Sequence, residues 1–354
     1  MTTDSLTFES TRAQLAAAPP AKSEDQRRIK WFDRGQTAAF SRDPEGCLEI
    51  FLAGPEIKAR DANVRKRLVH DVWLDDTDRM IEATRLRLPP GEHVDAAAAA
   101  IVAELFDKGW ERDRHRAFRD TEPLIALILQ RARSEEAVLT GLAGELLTLD
   151  ALLAEMDPTA ATSVIDAWHG WRQSTRDFQL GNAGVEVKAT TASASRHKIQ
   201  GWYQVEPGAP GAGVGETSLY LLSIGVRWLK LGDAGQTIES LVEGILTRLR
   251  EPQQQLLVER VRGYCGAEID ISDDGRAGQQ SLRRPFYAAF ERLYDMRDPR
   301  IEVLHSVDLS EFAHVVSDSV HFEIELPTVV DGDLNPVKGR EAVVRVLASL
   351  LRGA

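Results

Sequence analysis

The stretch TRDFQLGNAGVEVKAT, residues 175–190, decides how this chain is read. Val185-Glu186-Val187-Lys188-Ala189 alternates strictly, so in a strand Glu186 and Lys188 project from one face and the apolar residues from the other. Thr175 to Leu180 reads as a second strand carrying Asp177, and Gly181-Asn182-Ala183-Gly184 supplies the glycines that a tight reversal needs. Antiparallel pairing about that loop brings Asp177 near Glu186. A Glu-x-Lys pair on an exposed sheet face is an ordinary ion pair that contributes little. The surroundings must therefore carry the argument.

Upstream, Leu142, Leu146, Leu149 and Leu153 recur at helical spacing within a helix expected over about Ser134 to Met156. At 100° per residue Glu145 falls between Leu149 and Leu152, on the apolar side. A carboxylate placed inward must be neutralised, reach an edge or hold a cation, and an arginine at the helix margin would satisfy the first of these. Downstream, His197-Lys198-Ile199-Gln200 and Gln204 follow a short loop from Thr190 to Ser195. Neither His197 nor Gln204 says much alone. Trp168, Gly170 and Trp171 lead into the first strand, an approach that most often serves core packing.

Taken together, Gly144-Glu145-Leu146, Asp177-Phe178, Val185 to Thr190, and His197 with Gln204 resemble the PD-(D/E)XK phosphodiesterase superfamily over residues 140–205. The similarity is to the branch that accompanies bacterial restriction and phage-defence operons, in which a nuclease subunit neighbours a helicase and a MutL-like or MORC-like ATPase. Arg176 stands where the family name has proline. The resemblance implies a mixed α/β fold, a restriction-endonuclease-like core with a central mixed β-sheet flanked by helices, and a Mg²⁺-dependent DNA endonuclease acting within a multi-protein defence system. It implies metal ligation by Asp177, Glu186, the Val187 carbonyl and Glu145, with Mn²⁺ as a substitute. Hard oxygen donors of this kind suit such ions.

Phosphodiester hydrolysis needs an attacking water, stabilisation of the charge that develops, and a stabilised leaving alkoxide. Lys188 would orient or deprotonate the water and place a positive charge near the scissile phosphate, while Gln204 or His197 would position a phosphate or the lysine. The competing reading is a catalytically silent nuclease-fold subunit that tethers or recognises DNA. RNA is a third possibility as substrate, because phosphate chemistry is blind to the sugar.

The chain has 354 residues, 43% hydrophobic and 28% charged, which is globular composition with room for two or three domains. The texture suggests a flexible arm over 1–28, a β-rich N-terminal domain over 29–110, the nuclease core over 111–235 and an α/β region over 236–354. Thr37 to Ser41 and Cys47 to Leu52 read as a hairpin about Asp43-Pro44-Glu45-Gly46. Helices are expected from Asp95 to near Gly109, over Thr121 to Arg133, Thr237 to Arg250, Gln253 to Tyr264, Pro285 to Tyr294 and Arg340 to Leu351. Pro207 to Glu216 suits a flexible loop, Ser218 to Leu231 a strand pair and Val315 to Leu326 a strand.

A net charge of −12 limits unaided affinity for nucleic acid, which comes largely from lysines and arginines on phosphates. Either a local basic surface exists, with Arg60, Arg65, Lys66, Arg67, Arg283 and Arg284 as candidates, or helicase and ATPase partners deliver the protein to DNA. One site per chain favours a homodimer or sequential nicking for a double-strand cut. No charge-free window of eighteen apolar residues occurs, and Met1 to Lys30 lacks the apolar centre of a signal peptide, so a cytoplasmic protein without a membrane partner is expected. Cys47 and Cys265 are each isolated from other Cys or His at ligand spacing and read as buried reduced thiols. No Walker-type phosphate loop is present.

Overall fold

The computed structural model describes residues 8–23, 27–75, 77, 79–89, 94–171, 174–209, 211–213, 215–265 and 280–353. The side chain of Cys265 lies outside the described residues, whereas Cys47 is a buried free thiol. The chain divides into two compact units, Met1–Glu136 and Ala137–Ala354. Most of the expected nuclease core and the expected C-terminal region fall in the second unit, because strands from both build the same sheet, whereas residues 111–136 fall in the first.

The first unit holds α1 (Phe8–Ala16), β1 (Lys30–Trp31), β2 (Ala38–Arg42), β3 (Leu48–Ala53), α2 (Ala62–Arg65), β4 (Leu68–Leu74), β5 (Met80–Arg87), α3 (Val94–Asp107) and the start of α4 (Arg114–Glu155). Its antiparallel sheet has the order β1-β2-β3-β5-β4. The β2–β3 hairpin forms as its sequence suggests, with Gly46 at φ 82° in the turn, a conformation that costs glycine nothing. The expected arm instead contains α1, whose Leu15 is fully buried in the core formed with Leu48, Ile50, Val102 and Phe118. Tertiary burial of one leucine organises a segment whose own periodicity is weak.

Two expected helices merge into α4, 42 residues long. Nothing across Arg131 to Glu136 breaks a helix, and Asp113 caps the start by accepting from the Arg116 amide at 3.0 Å. By length and composition α4 could cross a membrane, but 72% of its most apolar window is buried in the fold, as in the core helix of a globular protein.

The second unit continues with α5 (Ala161–Ala167), β6 (Phe178–Leu180), β7 (Ala183–Thr190), β8 (Ser195–Ile199), β9 (Ser218–Trp228), α6 (Ile238–Leu246), α7 (Gln253–Cys265), β10 (Phe286–Asp295), α8 (Ser306–Ser310), β11 (Phe322–Leu326), β12 (Val337–Lys338) and α9 (Arg340–Arg352). Its mixed sheet runs β12-β10-β9-β7-β6, with β7 and β9 parallel and every other pair antiparallel. On one face Val185, Val187, Leu222 and Ile224 meet Leu142, Leu146 and Leu149 of α4 and residues of α6, α7 and α9. On the other face Leu219 and Leu221 pack with Ile199, Ile324 and Leu326 of the two-stranded β8–β11 ribbon.

Three expectations fail here for physical reasons. The strand pair expected over Ser218 to Leu231 is one strand, Ser218–Trp228, since its interior Gly225 makes no turn; a Cβ there would lie 2.3 Å from a ring carbon of Phe290, which covers it. Pro285 to Tyr294 is strand β10, not a helix: Ala288, Ala289 and Glu291 favour helix locally, but pairing along β9, with a bulge between Ala288 and Phe290, overrides that preference. The strand expected from Val315 is confined to Phe322–Leu326.

Candidate metal-dependent active site

Because β7 and β9 are parallel, the chain must cross over between them, and that crossover carries both β8 and a short 3₁₀ turn, Trp202–Gln204. It therefore lies over the sheet face opposite α4. Strand alternation places Asp177, Glu186 and Lys188 on this same face, since Phe178, Val185 and Val187 belong to the other.

Asp177 sits just before β6 and is held on both sides. Its amide donates to the Val185 carbonyl at 3.1 Å, and its carbonyl accepts from the His169 and Gly170 amides at 2.7 and 3.1 Å. Its carboxylate Oδ2 accepts from the Val187 amide at 2.7 Å. The N–H and C=O of a strand residue point the same way, so the Val187 carbonyl also faces the Asp177 side, beyond the three-residue β6.

Glu145 comes from α4 on the opposite face and joins the group past the end of β6. Gly144 lets the helix approach β7, because a Cβ there would already lie 3.0 Å from that of Ala189. Trp168 Nε1 donates to Glu145 Oε2 at 2.6 Å, and Tyr264 also bonds the carboxylate. A side chain at Gly170 could not be accommodated, since its Cβ would fall 1.8 Å from Glu145 Oε2. Trp168 is thus fully buried in the core and also a donor to the site.

Lys188 Nζ pairs with Glu186 Oε1 at 2.9 Å and donates to Gln204 Oε1 at 3.0 Å. Its side chain is 18% exposed against 5% for Glu186, so the lysine is the more accessible member of the pair. His197 is buried on β8 and shares a 2.8 Å hydrogen bond between Nε2 and Ser223 Oγ, so the structure brings Gln204, and not His197, into direct contact with the lysine.

The electrostatics follow from three carboxylates sharing one ammonium. Burial, with the neighbouring Glu186 charge, pushes Glu145 up to about 7 despite the bonds from Trp168 and Tyr264. Burial and the Glu186 and Glu145 charges drive Asp177 well above the usual carboxylate range, against the pull of Lys188 and the Val187 amide. Burial works against the Lys188 ammonium, but Glu186 and Asp177 outweigh it and hold its pKa above the usual value. Lys188 therefore stands charged, a form that orients a water or phosphate. His197 is pushed down to about 3 by burial and by Lys188, and stays neutral.

Excess negative charge, oxygen donors from Glu145, Asp177 and Glu186, and an inward-facing carbonyl at Val187 fit a hard divalent cation. Among the described residues, the one trio of ligand-type groups with donor atoms within 4.8 Å of one another lies elsewhere, at Asp43, Glu45 and Cys47. That trio lies in the β2–β3 hairpin turn, where both carboxylates are paired with one arginine. Arg87 Nη2 pairs with Asp43 at 2.7 Å and Glu45 at 2.9 Å, and the Cys47 amide donates to Asp43 at 2.8 Å.

Residues 128–262 match a family model described as "Putative PD-(D/E)XK family member, (DUF4420)". The matched segment contains Glu145, Asp177, Glu186, Lys188 and Gln204, and stops short of β10 and β12, which complete the sheet. No curated protein and no solved structure matches the chain.

Sequence reasoning missed one buried element beside the site. Arg176 and Glu216 form an ion pair, Nη2 to Oε1 at 2.7 Å, that ties down the glycine-rich segment expected to be a flexible loop. The signal was an arginine directly before the key aspartate. Among the basic residues suggested as phosphate contacts, Arg65 bonds the carbonyls of Ala59 and Arg60, Arg283 pairs with Glu239, and Arg284 lies over Trp228.

Proposed function

We propose that this protein is a divalent-metal-dependent phosphodiesterase that cuts nucleic acid, with DNA as the substrate. The observation that carries the reading is the burial of Glu145, Asp177 and Glu186 near one lysine, which bonds Glu186, an arrangement in which burial and mutual repulsion raise the Glu145 and Asp177 pKa values. A fold maintained for tethering alone gains nothing from such repulsion, which costs stability.

Glu145, Asp177, Glu186 and the Val187 carbonyl would hold Mg²⁺ or Mn²⁺, which when bound supplies Lewis-acid stabilisation of the phosphoryl oxygens and activation of a water. Lys188, fixed between Glu186 and Gln204, presents its ammonium to the same phosphate and to the attacking water. The Val187 amide and Trp168 orient the Asp177 and Glu145 carboxylates, so little reorganisation is needed on binding.

Delivery to DNA fits a partner. The first unit holds 22 basic and 25 acidic residues, the second 21 and 30. Residues 295–333 alone carry ten acidic residues against two arginines, so the cutting unit as a whole repels a polyanion. A role as the nuclease subunit of a restriction or antiviral complex containing a helicase or ATPase agrees with this balance.

The test is incubation of the purified protein with supercoiled plasmid, single-stranded DNA and RNA in Mg²⁺ or Mn²⁺, with chelator controls and Glu186→Ala and Lys188→Ala variants. Metal-dependent cutting lost in both variants is the expected result. A wild type that stays silent with its operon partners and their nucleotide present would replace catalysis by the tethering role.

A further inference from the structure

We propose that the buried Arg176–Glu216 pair is a latch that sets Gln204 against Lys188, making both members positioning residues for the site. The proposal rests on the phosphodiesterase reading. Arg176 is 1% exposed, and a guanidinium so deeply placed must spend its donors well. Its Nε reaches Glu216 Oε2 at 3.0 Å and its Nη2 reaches Oε1 at 2.7 Å. The remaining bonds go to backbone: Nη1 donates to the Thr175 and Tyr203 carbonyls at 2.8 and 2.6 Å, and Nη2 to the Glu206 carbonyl at 2.8 Å.

Tyr203 and Glu206 bracket Gln204, so two of these bonds fix the backbone that presents it. Gln204 Oε1 then accepts from Lys188 Nζ at 3.0 Å and from the Gln200 amide at 2.9 Å. Glu216 secures the far end of the same segment, its Oε1 accepting from the Gly208 amide at 2.9 Å.

The pair is seated directly on β7. A Cβ at Gly184, two residues before Glu186, would lie 2.2 Å from Glu216 Oε2 and 2.6 Å from Arg176 Nε. Since Arg176 also immediately precedes Asp177, one guanidinium bonds backbone on both sides of Gln204 beside the aspartate while packing against Gly184 of the Glu186 strand. A proline at this position would have no donor for any of these bonds.

Arg176→Lys removes the planar fork and most of these bonds while keeping the charge. Plasmid nicking is measured for wild type, Arg176→Lys, Gln204→Ala and the double variant. Each single change is expected to lower kcat by about 10- to 100-fold, with KM for DNA within about twofold. If the latch acts through Gln204, the double variant is no slower than the slower single variant; losses that multiply would overturn the proposal.

Hydrogen exchange in metal-free protein gives a readout that needs no activity. The Gln200, Gln204 and Val205 amides should exchange faster in Arg176→Lys and in Glu216→Gln, while β9 amides are unchanged. Unaltered protection at those three amides sinks the latch. Should wild type cut no phosphodiester even with its operon partners and their nucleotide present, the phosphodiesterase reading fails, and the exchange measurement alone decides whether the latch exists. Where Arg176→Lys does not fold, Glu216→Gln carries both measurements.

Discussion

Glu49 of the first unit and the carboxyl cluster around Lys188 of the second bury charge in opposite ways. In the first, Glu49 is fully buried on β3 and faces two cations, Arg27 Nε at 2.6 Å from Oε2 and Arg85 Nη1 at 2.8 Å from Oε1. In the second, Glu145, Asp177 and Glu186 share the single Lys188, and the first two carboxyls are pushed toward their neutral forms. Burial alone therefore does not mark a functional site, since Glu49 is as deeply placed as Glu145. The mark is burial without compensation, because a fold pairs the charges it buries for itself.

The largest expected effect separates the two kinds of charge by activity. Lys188→Ala should lower the cleavage rate by about 10²–10³-fold or more, and Glu186→Ala should remove it, both with the fold retained by circular dichroism. Glu49→Gln, in contrast, should leave chemistry per folded molecule untouched. It strips the partner from Arg27 and Arg85 and should destabilise by about 3–5 kcal/mol, read by urea unfolding of the first unit. Equal loss of activity per folded molecule in Glu49→Gln would erase the distinction.

Cation binding sharpens the comparison. Burial and the Glu186 charge push Glu145 up from 4.5 to about 7 on folding, so the folded state binds more protons and its stability falls as pH rises through that window. A cation replaces those protons, and its stabilising effect should be larger at pH 8 than at pH 6. At a hundred times its Kd, Mg²⁺ or Mn²⁺ contributes about 2.7 kcal/mol, visible as a rise in Tm that Asp177→Asn diminishes. A metal-induced shift that is the same at both pH values, or unaffected by Asp177→Asn, would remove the carboxylate cluster as the binding site.

The same contrast explains what could be read in advance. Alternation in Val185 to Ala189, the glycine reversal and the inward register of Glu145 are local patterns, and they located the strands and helix that carry the site. The position of Gln204 next to Lys188 depends on a crossover between parallel strands, and the Arg176–Glu216 pair spans 40 residues. Neither leaves a periodic trace. The strand character of Phe286–Asp295 was illegible for a similar reason: its Ala, Glu and Arg residues favour helix, and only the distant partner β9 decides otherwise. Merging of α4 across Arg133 and Ser134 was missed because periodicity marks a buried face, whereas continuity depends on the absence of a breaker.

The smallest expected effect concerns His197, a buried polar group of the second unit that lies near the ammonium and forms no ion pair with a carboxylate. Its pKa falls from 6.5 to about 3 on folding, so the folded state binds fewer protons than the unfolded chain. Its contribution is complete above pH 6.5 and is lost as pH falls toward 3. At pH 5 the penalty amounts to about 2 kcal/mol. His197→Gln retains a partner for Ser223 but cannot take up the proton. At pH 8 the variant should be within about 1 kcal/mol of wild type, and at pH 5 the difference should have moved by about 2 kcal/mol in the variant's favour. Urea midpoints at the two pH values measure this directly. Parallel curves would mean that His197 takes up its proton as readily in the fold as in the unfolded chain, and that neither burial nor Lys188 holds it neutral.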